Sequence, residues 1–213
     1  MAKKISLVTN PSVINKAAFP AIDAHNHLWG NWQAYRVIRT MDKVGVISYC
    51  DLTGNVRIEF SEGSYVINPG NISDFVENCS LKYPSWSFAD PEYPRKIELL
   101  KRRDELIRQH PNTTFILPHF GNYAENIPYV SELLTEYPNV YIDFSARIDE
   151  LGRQPYSSRE FFIKHQDRII FGTDMPANIE SSIEMYRTYF RFLETFDESF
   201  YSPDYDGTFE RTC

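Results

Sequence analysis

The sequence predicts an α/β protein built on a parallel sheet. Three observations carry this: a strand–helix–strand unit near the start, a later run of short apolar strands alternating with amphipathic segments, and chemically active residues gathered at strand ends. Residues 19–26 form the first strand, with Pro20 tolerated near its start. Residues 32–44 follow as a helix on which Tyr35, Ile38, Met41 and Val44 recur at the helical interval, and Gly45 closes it. Residues 46–52 are a second, mostly apolar strand. A helix of that length between two strands is a crossover into a parallel sheet. Residues 56–60 alternate in polarity, 61–64 turn and 65–67 are apolar, the pattern of an antiparallel hairpin. Residues 72–81 read as a short helix, and 83–95, with Pro84, Pro91 and Pro94 among aromatics, as a loop. Residues 96–110 form an amphipathic helix with Ile97, Leu100, Leu106 and Ile107 inward. The alternation then returns, with strands over 113–119, 140–145 and 168–173 and helices over 127–137, 157–166 and 182–196.

At 213 residues the chain suits one sizeable core, so 1–213 reads as a single domain. Its 42% hydrophobic and 24% charged residues are those of an ordinary globular protein. A net charge of -7 disfavours a nucleic-acid partner, which wants a basic face. The clusters Lys3-Lys4 and Lys101-Arg102-Arg103 read as solvated surface. Cys50, Cys79 and Cys213 share no metal-type spacing, and a sparse odd set fits a reducing compartment. The first residues lack an apolar run of signal-peptide length, and no stretch approaches the ~20 apolar residues of a membrane span. The expectation is a cytoplasmic protein, with neither nucleic acid nor membrane as partner. Aromatic residues make up 15%, which a greasy pocket or a packed core would explain equally.

The chemistry is concentrated in Ile22-Asp23-Ala24-His25-Asn26-His27-Leu28, at the end of the first strand. Strand side chains alternate between faces, so Asp23, His25 and His27 share one. Two imidazoles side by side at a strand terminus can chelate a divalent metal. His119 closes the strand over 113–119, and Asp174 closes the one over 168–173. In α/β barrels, functional groups collect at these carboxyl ends. Plainer readings exist: Asp174 could cap the following helix, and His119 could bond a loop carbonyl. Joint placement at strand ends favours the metal site. His110, at a helix C-terminus where an imidazolium suits the dipole, and His165, on the approach to a strand, read as structural.

With these residues the chain resembles the amidohydrolase superfamily, in particular the amidohydrolase-related metal-dependent hydrolases that include aminocarboxymuconate semialdehyde decarboxylase. The resemblance is carried by the first-strand motif and by Asn112-Thr-Thr-Phe-Ile-Leu-Pro-His-Phe-Gly-Asn122. Asn139-Val-Tyr-Ile-Asp-Phe-Ser-Ala-Arg147 and Asp167-Arg-Ile-Ile-Phe-Gly-Thr-Asp-Met-Pro176 extend it. It implies a TIM-barrel-like (β/α)₈ fold with a metal at the carboxyl face. His25 and His27 would be metal ligands. Asp174 would bind the metal or take a proton from its water, and His119 would orient that water or polarise the substrate. Zinc is the first expectation for such donors, with manganese and iron as alternatives. The metal would bring the pKa of its water to about 7. The implied reaction is attack of metal-activated water on a C–N or C–O bond. A non-oxidative decarboxylase on the same scaffold is the alternative. Arg147 or Arg153 would then hold a carboxylate, unless they pair with Asp143, Asp149 or Glu150.

The chain departs from that pattern in length. A complete barrel takes about 250 residues. No histidine lies between His27 and His110 to match the family's strand-five ligand, and 55–83 is too short for a third, fourth and fifth strand with their helices. The expectation is an incomplete barrel with strands 3–5 missing or shortened. It would be either a shortened or misassembled gene product or a half-open barrel that a partner subunit completes. Open sheet edges would invite homo-oligomers. The absent histidine adds a third reading, a relative that binds metal without turnover.

Overall fold

The structure is a computed structural model that describes residues 11–26, 34–52, 57–61, 64–68, 94–174, 181–198 and 200. The predicted helix over 72–81, most of the loop over 83–95, and His27 lie outside the described residues. Strand β1 (Ala21–Asn26) pairs in parallel with β2 (Val46–Asp51) across helix α1 (Ala34–Val44), the expected crossover. Gly45 reverses the chain at φ 79, a left-handed conformation that glycine enters without steric cost. Its N–H donates to the Met41 carbonyl at 2.8 Å and ends the helix. Strands β3 (Arg57–Ser61) and β4 (Ser64–Asn68) form the antiparallel hairpin that the alternation of polarity indicates.

After α2 (Lys96–Gln109) come β5 (Phe115–Leu117), α3 (Ile127–Glu136), β6 (Val140–Asp143), α4 (Ile148–Gly152), α5 (Pro155–His165), β7 (Ile169–Ile170) and α6 (Ser181–Glu194). Strands β5, β6 and β7 form a parallel sheet in that order. Beyond β7 the chain meets β1. Ala24 N–H donates to the Phe171 carbonyl at 3.0 Å, and Asp174 N–H donates to the His25 carbonyl at 2.8 Å. Through this seam the parallel strands run β2, β1, β7, β6, β5.

The fold is thus mixed α/β, and no closed (β/α)₈ barrel is present among the described residues. Two residues join β3 to β4, and so short a connection allows only antiparallel pairing, whereas each parallel strand needs a crossover of a dozen residues or more.

Several boundaries and faces also correct the sequence reading. The strand expected over 113–119 stops at Leu117, because Pro118 has no N–H for the ladder and the chain turns there. The strand expected over 140–145 stops at Asp143, and that over 168–173 shrinks to two residues. On α1, Tyr35 and Ile38 are exposed, while Val37, Thr40 and Val44 are buried. The helix turns that face to Val46, Tyr186 and Phe190, so its contact with α6 and β2 decides which residues point inward. On α2, Leu100 and Ile107 are buried, whereas Ile97 and Leu106 are exposed.

The larger core cluster includes Leu117, Phe120, Ile142, Phe144, Phe161 and Tyr189. Phe144 packs edge-on against Phe162 and Phe171 and tilted against Tyr189, so much of the aromatic content is core. Each fully buried side chain of this kind contributes about 1.5–3 kcal/mol. Among the described residues, no helix is long and apolar enough to cross a membrane.

Candidate metal centre

Alternation along β1 puts Asp23 and His25 on one face, and both are buried. His25 Nδ1 lies 2.8 Å from Asp143 Oδ2 and 3.0 Å from Ser145 Oγ. With Nδ1 occupied by the carboxylate, Nε2 is left to face outward, and it lies 4.0 Å from Asp174 Oδ1. His119 sits in the turn after β5. Its Nδ1 lies 2.9 Å from the Ser145 carbonyl oxygen, which can only accept, so Nδ1 carries a hydrogen and, in the neutral ring, Nε2 presents a lone pair. That Nε2 lies 3.9 Å from Asp174 Oδ2. The two imidazole rings are 4.9 Å apart, centre to centre.

One carboxylate organises both histidines. Besides the His25 ring, Asp143 accepts from the His119 N–H at 2.9 Å, the Ser145 N–H at 3.1 Å and the Ser145 hydroxyl at 2.6 Å. Burial by itself would raise the Asp143 carboxyl. The hydrogen bonds from His25, Ser145 and the His119 amide outweigh it and hold the group below the usual carboxylate range. Burial likewise pulls the His25 imidazole down. The bond to Asp143 and the charges of Asp143, Asp174 and Asp23 outweigh it and leave His25 raised.

The backbone around these groups is unusual. His119, Ala146 and Asp174 all have φ between 50 and 58. Such left-handed conformations cost non-glycine residues roughly 1–3 kcal/mol each and persist where the surroundings over-determine them, often at functional sites. Here the surroundings are the bonds just described, together with Ala146 N–H to the Thr173 carbonyl and Asp174 N–H to the His25 carbonyl. Gly172 is obligatory for a different reason. A Cβ there would lie 2.7 Å from His25 Cβ and 3.2 Å from His25 N.

One ligand atom from each of His25, His119 and Asp174 can be chosen so that all lie within 4.8 Å of one another. Bonds of about 2.0–2.2 Å to a common ion would put two ligands some 3–4 Å apart. The observed separations therefore fit a single cation after slight closure. Two imidazole nitrogens and a carboxylate oxygen suit zinc, manganese or ferrous iron.

Of the residues singled out from the sequence, His25, His119 and Asp174 come together, and His27 lies outside the described residues. Asp174 does not cap α6, which begins at Ser181. His110 ends α2, its N–H bonded to the Ile107 carbonyl. His165 is buried, with Nε2 2.9 Å from Ser131 Oγ and its ring against Phe161. Neither arginine is seen pairing with Asp143. Arg147 pairs with Glu150 at 3.3 Å and donates to the His119 carbonyl, and Arg153 donates to the Asp149 carbonyl. Asp143 and Ser145 belong to the site although the sequence pattern does not single them out for it. What the sequence does show is their place as polar residues at the end of another strand of the same alternation.

A family model described as amidohydrolase (Amidohydro_2) matches residues 65–191, more than half of the chain. The match takes in His119, Asp143, Ser145 and Asp174, while His25 precedes it. No curated protein and no solved structure matches.

Proposed function

From the premise that this chain belongs to the amidohydrolase family, we propose that it is a metal-dependent hydrolase acting on a C–N or C–O bond of a small molecule. The observation that carries the proposal is the convergence of His25 Nε2 and His119 Nε2 on the two oxygens of Asp174, at 4.0 and 3.9 Å. Each ring is turned that way by a partner on its other nitrogen, the arrangement usual for metal-binding histidines.

In this reading His25 and Asp174 hold the cation, with His27 of the same sequence motif as the further ligand, and His119 faces the same position to act on the water rather than to bind the ion. Zinc is the first candidate, ahead of manganese or iron. When bound, the ion acidifies a water and polarises the bond to be broken. Asp174 accepts a proton. His119, its Nδ1–H committed to the Ser145 carbonyl, presents the Nε2 lone pair to orient the water whose proton Asp174 accepts. Asp143 holds the His25 ring in register. The chain is one domain derived from a TIM-barrel-like fold with strands 3–5 missing or shortened.

Elemental analysis of the purified protein, with a screen of small amides and esters before and after chelation, tests this. Wild type is expected to carry stoichiometric metal and to lose turnover on chelation, and His25→Ala is expected to lose the metal. Carbon dioxide release without hydrolysis would move the reaction to the decarboxylase alternative. Metal without turnover would leave a binding relative only. Metal content unchanged in His25→Ala would sink the ligand assignment.

A further inference from the structure

The two motifs that supply the ligands also contain residues that touch each other and not the cation position. Asp23 is 0% exposed. Its carboxylate accepts from the Thr173 hydroxyl at 2.7 Å, the Thr173 N–H at 3.2 Å and the Tyr186 hydroxyl at 2.6 Å. It also accepts from Asn26 Nδ2 and, at 3.4 Å, from the His25 N–H. Asn26 Nδ2 in turn donates to Thr173 Oγ1 at 3.0 Å. The donors come from β1, from the segment beyond β7 and from α6.

Burying a carboxylate is costly even when its oxygens are bonded, and an apolar side chain would fill the same space in an ordinary core. What the network provides is orientation, because a fully bonded buried group has one place to sit. That orientation is set next to the ligands. His25 stands two residues after Asp23, and Asp174 directly follows Thr173. Between the two segments run the Asp174 N–H bond to the His25 carbonyl and the Gly172 contact that admits no Cβ. A slip of one residue along this seam would turn His25 to the other face of β1.

We propose that Asp23 is a positioning residue: held by Thr173 and Tyr186, it sets the register of β1 against the segment beyond β7 and so keeps His25 and Asp174 on one cation. The inference rests on the metal-centre reading and adds to it a latch anchored in α6, away from the ion.

Cobalt(II) titration of the full chain, read by affinity and by the visible band at saturation, tests it. Asp23→Asn is the direct variant. Thr173→Val and Tyr186→Phe remove one hydroxyl each with little change of shape, and Thr173→Ser restores the hydroxyl at 173. Thermal unfolding of each metal-free variant confirms that it is folded. Thr173→Val and Tyr186→Phe are expected to bind cobalt about 10–100-fold more weakly, with an altered band, and Thr173→Ser to return toward wild type. Wild-type affinity and band in both hydroxyl-deleted variants would overturn the latch and leave the metal centre standing. Failure of Thr173→Ser to recover would also overturn it, by assigning the effect to side-chain shape. A wild type that takes up no cobalt would overturn both readings.

Discussion

His119 shows how a single residue can satisfy two readings that compete in the sequence. Bonding a loop carbonyl and facing a metal position look like alternatives until the two ring nitrogens are counted separately. Nδ1 takes the Ser145 carbonyl, and Nε2 looks at Asp174. His165 is the contrasting case. Burial, with Lys164 and Arg168 nearby, holds its imidazole below the ordinary value of 6.5. A histidine whose folded pKa is lowered favours folding fully above 6.5, and that contribution is lost as pH falls from 6.5 through the folded value, where the unfolded chain binds the extra proton. Urea unfolding of the metal-free protein should therefore show stability declining below pH 6.5. His165→Gln should flatten that part of the decline. An unchanged slope would remove His165 from the acid sensitivity.

At the level of elements, the site is made where strands stop. Pro118 ends β5 one residue before His119. Ile170 is the last residue of β7, and the chain continues against β1 through isolated backbone bonds and the side-chain bonds between Thr173 and Asp23. Short strands with left-handed residues at their ends aim the side chains that a continuous ladder would have sent to alternate faces. The tightest point of this construction is Gly172 against His25. Gly172→Ala has no flexible neighbour to displace, because the clash is with the backbone and Cβ of β1. It should cost about 1–3 kcal/mol in denaturant unfolding of the metal-free protein and weaken cobalt binding in the same variant. Wild-type behaviour in both measurements would mean that the seam admits a methyl group at 172.

At the scale of the molecule, α6 ties the parts together. Met185 and Tyr189 enter the larger core cluster, while Tyr186 and Phe190 enter the smaller one beneath α1 and β2. The same helix thus packs into both core clusters and, through Tyr186, joins the Asp23 network behind His25 and Asp174. Among the described residues, the outermost strands of the parallel run are β2 and β5, and both expose apolar residues, Ile47 at 66% and Ile116 at 58%. Exposed apolar edge strands are templates for pairing with another chain. Sedimentation velocity should show association that grows with concentration, and the double variant Ile47→Lys, Ile116→Lys should reduce it. Identical profiles would rule these edges out as the contact.

Much of this protein is decided locally. The α/β alternation, the β1–α1–β2 crossover, the β3–β4 hairpin and the strand-end placement of His25, His119 and Asp174 follow from residue periodicity, turn residues and chain length between strands, all of which act over a dozen residues or so. Tertiary structure decided the rest. Whether α1 buries Val37 or Ile38 depends on where α6 lies. That Asp143 serves His25 and not an arginine, and that Asp23 meets Thr173 and Tyr186, depends on strands more than a hundred residues apart becoming neighbours. No local pattern encodes such partners, because hydrogen bonds and close contacts form between positions that only the packed chain brings within 3 Å or so.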